Sequence, residues 1–307
     1  MIYTITLNPA VDVSLHVKNG LMPGSINQSF SERTDPGGKG INVSKTLKVM
    51  GKDSVICVGV CGDDGERLLK MLDDIGAEVI SVRYSSGNTR TNIKLIGENG
   101  VNTEINGEGP QYDRDAVQEL KTLICSKLVP GDTVVISGRP PLCSPSGIYA
   151  DLIRDFKVIE GVKVILDASD IFLRDGIEEK PYAIKPTCEE LSIDNDTESA
   201  KYEAGDIVMR GISRCLISMG SIGAVFASRD MEATYSRALD VKVNCTTGCG
   251  DAMTAGLAYA SEEGLSSEET FRLCMALAGA ETETEGTNPP LRERIDELFD
   301  KAKISGQ

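Results

Sequence analysis

Thr246-Thr247-Gly248-Cys249-Gly250-Asp251, running into Ala252-Met253-Thr254-Ala255-Gly256-Leu257-Ala258, is the stretch on which the reading of this chain turns. Glycines free the backbone so that consecutive N–H groups can face one concavity. The apolar, Ala-rich stretch after them predicts a helix whose positive N-terminal end faces the same point. That pairing suits phosphate. A carboxylate beside a bound phosphate is costly, so Asp251 makes chemical sense as the base that takes a proton from an attacking hydroxyl during phosphoryl transfer. A glycine turn with a capping Asp reads the same residues without any chemistry, and this segment by itself leaves both readings open.

A second glycine cluster, Asp35-Pro36-Gly37-Gly38-Lys39-Gly40-Ile41-Asn42-Val43-Ser44, also precedes a helical pattern, with Val43, Leu47, Val49 and Met50 on one apolar face. Lys39 supplies a cation suited to a phosphate on an acceptor molecule, and Asn42 an amide suited to a hydroxyl. A solvated Gly-Lys loop is the bland alternative. Neither cluster is a Walker A loop, because the Gly-Lys pairs at 38/39 and 51/52 are followed by Gly40 and Asp53 rather than Ser or Thr. Gly59-Val60-Cys61-Gly62-Asp63-Asp64-Gly65 lacks the spacing of a dinucleotide fingerprint.

Composition narrows the function classes. The 307 residues are 40% hydrophobic, enough for a sizeable core and a soft prior of about two domains. A net charge of -15 argues against nucleic-acid binding and requires that any anionic substrate be met by local cations. MIYTITLNP has no basic region before an apolar core, and no apolar run approaches the roughly 18 residues of a membrane span, so a cytoplasmic protein with no membrane partner is expected. Nine cysteines without a CxxC pair suit buried thiols in a reducing compartment better than disulfides or zinc. His16 is the only histidine, which nearly excludes a His-dependent triad or a multi-histidine metal site and leaves acid–base work to a carboxylate, Lys, Tyr or Cys.

Along the chain, strand and helix patterns alternate. Strands are predicted over 2–7, 54–60, 133–137, 162–167, 182–185 and 215–218, and helices over 43–50, 66–75, 117–128 and 146–157. Short buried strands between amphipathic helices predict an α/β fold, a parallel sheet with helices on both faces and sites at the carboxyl ends of the strands. Residues 13–34 and 88–106 break the rhythm: they are polar and β-prone, and Thr91 to Ile96 beside Gly97-Glu98-Asn99-Gly100 suggests a hairpin. Both are candidates for a separate small sheet, leaving 1–12, 35–87 and 107–307 as the core.

Tyr3-Thr4-Ile5-Thr6-Leu7-Asn8-Pro9-Ala10-Val11-Asp12, the GGKGINV segment, Asn88-Thr89-Arg90-Thr91-Asn92, Ser218-Met219-Gly220 and the GCGD segment occur in the order seen in ribokinase-like (PfkB) carbohydrate kinases, and the chain resembles that family over essentially its whole length. Thr103-Glu104-Ile105-Asn106-Gly107-Glu108-Gly109-Pro110 and the opening look most like bacterial 1-phosphofructokinases, with tagatose-6-phosphate kinases the closest competitor. The resemblance implies a ribokinase-like three-layer αβα sandwich with a mostly parallel central sheet, and a β-lid over the sugar through which two subunits often pair. It implies that Asp251 is the base and that Gly248, Cys249 and Gly250 form the anion hole. Asp12, Gly38, Lys39 and Asn42 match acceptor-binding positions, and Arg90 the lid arginine that meets the acceptor's phosphate. Ser218, Gly220, Gly223 and Lys185 match the ATP side, and Glu190 the acid that helps hold Mg2+ through water.

The chain also departs from the family pattern. Lys185-Pro186-Thr187-x-x-Glu190 has a hydroxyl where the family has an amide, and Ser137-Gly138-Arg139-Pro140-Pro141 brings a large cation, Arg139, toward the expected acceptor site, either to bind phosphate or to obstruct it. Cys249 replaces a common alanine, as a small buried thiol or a redox-sensitive one. Glu281 to Glu285 is more acidic than the usual helix beside the adenine. The expected activity is ATP- and magnesium-dependent phosphorylation of fructose 1-phosphate. A tagatose-6-phosphate or related sugar kinase, and a catalytically weak sugar-phosphate or nucleotide sensor, are the alternatives.

Overall fold

Val134-Val135-Ile136 and Val164-Ile165-Leu166 show why the core is built as it is. Alternate residues of a strand face opposite sides of a sheet. Val134, Ile136, Val164 and Leu166 enter one hydrophobic cluster, while Val135 and Ile165 enter another on the far side. Strands buried on both faces are near-continuously apolar, and helices must cover both.

The computed structural model describes residues 1–18, 20–98 and 101–304. The chain begins β1 (Ile2–Thr6), β2 (Ala10–Val17), β3 (Ser29–Gly37), α1 (Lys39–Val49), β4 (Ser54–Val60), α2 (Gly62–Asp74) and β5 (Glu78–Arg83). It continues β6 (Arg90–Gly97), β7 (Asn102–Asn106), α3 (Arg114–Cys125), β8 (Thr133–Ser137), α4 (Ile148–Lys157), β9 (Lys163–Asp167), α5 (Asp170–Glu178) and β10 (Ala183–Ile184). It closes with α6 (Thr197–Met209), β11 (Arg214–Ser218), β12 (Gly223–Ser228), β13 (Met231–Arg237), α7 (Cys249–Glu263), α8 (Ser267–Thr282) and α9 (Arg292–Lys301).

Nine strands form the large sheet in the order β13-β12-β11-β10-β9-β8-β1-β4-β5. It is parallel from β11 to β5, and β12 and β13 add an antiparallel edge. Val43 and Leu47 of α1, Leu257 of α7 and Phe271 of α8 pack on one face, and Leu120 of α3, Ile153 of α4, Leu173 of α5 and Ile207 of α6 on the other. A separate four-stranded sheet has the order β3-β2-β6-β7, with β2 and β6 parallel and both outer pairs antiparallel. No helix among the described residues is long and apolar enough to cross a membrane.

Several boundaries differ from expectation for identifiable reasons. The small sheet begins at Ala10 and ends at Gly37 in its first half, because β2 and β3 stay paired to the Ala10–Gly37 position. Helix α1 starts at Lys39, four residues before the apolar pattern, because Gly38 takes φ 130 as its N-cap. Gly40 then lies so close to β1 that a Cβ there would sit 2.5 Å from Thr6 Oγ1. Lys39 therefore stands on the first turn of a helix, not in a flexible loop. Strands β6 and β7 pair antiparallel as the predicted hairpin requires, while Asn99 and Gly100 of its turn lie outside the described residues.

Candidate active site

The carboxyl ends of β10 and β11, the start of α1 and the start of α7 converge on a cavity of about 820 Å³ that the small sheet also lines. Gly248 adopts φ 92 and caps α7, placing Asp251 in that helix's first turn. A Cβ on Gly248 would meet Glu281 Oε1 at 2.6 Å, so only glycine fits between α7 and α8. Free amides at the helix end and the positive helix terminus make this lip a place for anionic oxygen.

Asp251 is 7% exposed, and its Oδ2 accepts a hydrogen bond from Asn42 Nδ2 at 2.8 Å. Burial first, and then the like charge of Asp167, push its pKa up to about 6 against the opposing pull of Lys39, Asn42 and Lys185. Asp167, at the end of β9, is fully buried and holds Lys39 Nζ at 2.9 Å and Lys185 Nζ at 3.5 Å, while its other oxygen accepts from Thr254 Oγ1 at 3.0 Å. Burial opposes ionisation of Asp167, but the two ammonium groups prevail and hold it below the usual carboxylate range. The same pairing raises Lys39. The site thus holds one carboxylate kept ionised by two cations and another poised to carry a proton near neutral pH.

The small sheet supplies the opposite wall. Arg90, Asn92 and Lys94 of β6 line the cavity with Asp12 of β2. Asp12 accepts from Asn92 Nδ2 at 2.8 Å and pairs with Lys94 Nζ at 3.4 Å, and Arg90 Nε donates to the Asn8 carbonyl at 3.2 Å. Ser218, Gly220, Gly223, Lys185 and Glu190 line the same cavity, beside an apolar stretch of Leu239, Val241, Met275 and Ala278. Glu190 Oε2 accepts from the Thr187 amide at 2.8 Å, and Thr187 Oγ1 accepts from the Glu190 amide at 3.1 Å, which closes that turn on itself.

Of the residues singled out in the sequence, Asp12, Gly38, Lys39, Asn42, Arg90, Lys185, Glu190, Ser218, Gly220, Gly223 and Gly248 to Asp251 all line this cavity. Arg139 does not. Its guanidinium lies on the surface, 3.3 Å from Asp170 at the start of α5, so it neither meets nor obstructs a ligand in the cavity. Cys249 is half-buried beside Glu281, and burial first pushes its thiol up to about 12, which keeps it protonated. The sequence motifs assign no role to Asp167 or Lys94, and they include Asn92 only as the end of the 88–92 motif and Glu281 only as part of the acidic 281–285 stretch. Asp167 had a signal: a charged residue ending the apolar run Val164-Ile165-Leu166 belongs at a strand's carboxyl end.

A cavity with a glycine cradle, a buried carboxylate and a second cationic wall is the arrangement of a group-transfer site. Residues 5–294 match the pfkB family carbohydrate kinases. The chain belongs to that family. It is 34% identical to the 1-phosphofructokinase of Borreliella burgdorferi, with 93% of this chain and 92% of the relative covered. It is 27% identical to a tagatose-6-phosphate kinase of Staphylococcus epidermidis, with 99% of each covered. Phosphofructokinase-2 of Escherichia coli matches it in structure with a TM-score of 0.91 over 98% of both chains, at 24% identity, which is a likeness of fold. The ribokinase-like fold expected from the sequence is borne out. As a PfkB-family kinase the chain is a phosphotransferase, and the cavity is where such chemistry has room to occur.

Proposed function

We propose that this chain transfers the terminal phosphoryl group of ATP to the carbon-6 hydroxyl of fructose 1-phosphate, giving fructose 1,6-bisphosphate and ADP. The observation that carries the reading is a single cavity holding both a buried carboxylate with a pKa near 6 and, on the small sheet, the cations Arg90 and Lys94. One end suits a hydroxyl that must lose a proton, and the other suits the sugar's own phosphate.

In this reading Asp251 accepts the hydroxyl proton as the new O–P bond forms and the bond from the terminal phosphorus to the bridging oxygen of ADP breaks. The amides of Gly248, Cys249 and Gly250 face the charge that develops on the transferring group. Lys39, expected to grip the distant phosphate, is instead assigned to the transferring group, because Asp167 holds its ammonium at 2.9 Å. Asn42 spends its amide N–H on Asp251 and orients the base. Arg90 anchors the acceptor's phosphate. Ser218, Gly220, Gly223 and Lys185 serve ATP, with the base against Leu239, Val241 and Met275.

Magnesium fits the residues present. Among the described residues no group of three or more His, Cys, Asp or Glu side chains could hold a metal ion, and the polar donors at the Thr187–Glu190 turn are oxygens. That suits an ion that keeps most of its water and is bound by one or two carboxylates together with nucleotide phosphates. Glu190, through water, and the Thr187 hydroxyl would hold it, and when bound it neutralises phosphate charge. The small sheet would act as a lid and pair with that of a second copy: Phe30 on edge strand β3 is 55% exposed and Ile105 on edge strand β7 is 53% exposed. The cytoplasm is the compartment that supplies ATP and keeps all nine free thiols reduced.

A tagatose-6-phosphate kinase is the second reading, favoured by the full-length likeness to that relative. Initial rates with ATP and magnesium, at matched low concentrations of fructose 1-phosphate, fructose 6-phosphate and tagatose 6-phosphate, decide between them. The highest rate is expected on fructose 1-phosphate. A preference for tagatose 6-phosphate establishes the second reading, and transfer to none of the three leaves the sensor reading in place.

A further inference from the structure

Asn92 is 9% exposed and lines the cavity from the middle of β6, on the same face of the strand as Arg90 and Lys94. Its Nδ2 donates to Asp12 Oδ1 at 2.8 Å. An ionised carboxylate can only accept, so the amide has one orientation, with nitrogen toward Asp12 and oxygen away from it. That oxygen is buried and has no hydrogen-bond partner in the protein. Neither neighbouring cation donates to it: Lys94 Nζ bonds Asp12 Oδ2 at 3.4 Å, and Arg90 Nε the Asn8 carbonyl at 3.2 Å. A polar oxygen left unpaired in a buried wall is unfavourable unless something that enters the cavity satisfies it.

An amide oxygen is an acceptor, so it repels the phosphate and suits only a group that carries a proton. On a sugar phosphate that group is a hydroxyl. We propose that Asn92 Oδ1 accepts a hydrogen bond from a ring hydroxyl of the acceptor sugar, making Asn92 a specificity-determining residue. The assignment rests on the reading of the chain as a kinase of hexulose phosphates. Asp12 and Lys94 hold the Asn92 amide in register, and Arg90, two residues before it, takes the phosphate. A sugar with the hydroxyl missing or inverted leaves the amide oxygen unpaired when water is expelled, and it is discriminated against for that reason.

The test compares fructose 1-phosphate with its 3-deoxy and 4-deoxy analogues, using the wild-type enzyme, Asn92→Ala and Asn92→Ser, and reads kcat/KM for the acceptor and KM for ATP. With the parent sugar each variant is expected to lose about ten- to a hundred-fold in kcat/KM, with the ATP KM unchanged. With one of the two deoxy analogues the wild-type enzyme is expected to lose a similar factor, and the variants to lose less than about three-fold more, because the hydrogen bond is already gone. Equal losses of the variants on all three sugars, or no loss on any, overturn the proposal and leave Asn92 as a support for Asp12. A wild-type enzyme that discriminates against neither deoxy analogue overturns it without any variant. A wild-type enzyme that phosphorylates no hexulose phosphate sinks the underlying kinase reading, an outcome distinct from the others.

Discussion

Asp251 is buried close to the carboxylate of Asp167 and the ammonium groups of Lys39 and Lys185, and its behaviour with pH follows from that balance. A base must be ionised to accept a proton, so kcat is expected to rise with pH through a limb centred near pH 6 and to be flat above it. Asp167→Asn removes the repulsion and leaves Lys39 and Lys185 unopposed, so the limb should move to lower pH, while a limb that stays in place would show that Asp167 does not set the base. Asp251→Asn should lower kcat by roughly 100- to 10,000-fold and leave both Michaelis constants within a few-fold. Arg90→Ala should raise the acceptor KM by about ten- to a hundred-fold, the scale of a charge-assisted hydrogen bond, and leave that of ATP nearly unchanged. An effect on ATP alone would remove Arg90 from the acceptor site. At this scale the sequence exposed the residues that sit in short motifs. It assigned no role to Asp167, at the end of a strand pattern, or to Asn92, at the end of the 88–92 motif, because their roles lie in partners far along the chain: Lys39 is 128 residues from Asp167, and Asp12 is 80 from Asn92.

Helices α7 and α8 meet where Gly248 leaves no room for a side chain, and Glu281 of α8 lies in that contact, 3% exposed. Burial first, then Asp251, pushes Glu281 up to about 8, while Lys45 opposes the shift. Its ordinary value is 4.5, so below that pH folded and unfolded chains are both protonated and nothing is lost. As pH rises from 4.5 toward about 8, the unfolded chain has released its proton while the folded chain still holds its own, so the native state loses stability across that window, by an amount on the order of a few kcal/mol, and loses no more above it. Glu281→Gln lacks this term. Its unfolding free energy should match that of the unaltered enzyme near pH 4.5 and exceed it at pH 9. Equal stability at both pH values would mean that Glu281 is ionised in the folded protein. Elements were legible where apolar spacing was regular, as in β8 and β9. Helix α6 was not, because it docks through two alanines, Ala200 and Ala204, and a single Ile207, which leave no broad apolar stripe among its charges.

Two sheets frame the cavity: Asp251 and the glycines before it stand at the start of α7, which packs on the large sheet, while Arg90, Asn92 and Lys94 stand on the small one. The α/β core and the existence of a second sheet were readable from the alternation of strand and helix patterns and its two interruptions. The route of Arg139 was not, since its pairing with Asp170 depends on where α5 begins, and no local pattern in the sequence marks that. If the small sheets of two copies pair, Phe30→Asp should shift the protein toward monomer in sedimentation velocity and weaken acceptor use. A variant with unchanged mass and activity would place the subunit contact elsewhere. The pairing of β2 with β6 has one more consequence. Ala10 lies beside Arg90, and everything from β3 to β5 separates them in the chain. That junction cannot form by local zippering; the intervening α/β unit must first fold and bring its ends together, at the entropic cost of a long closed loop. During refolding, the pairing of β2 with β6 is therefore expected to form late, after the α/β unit between them.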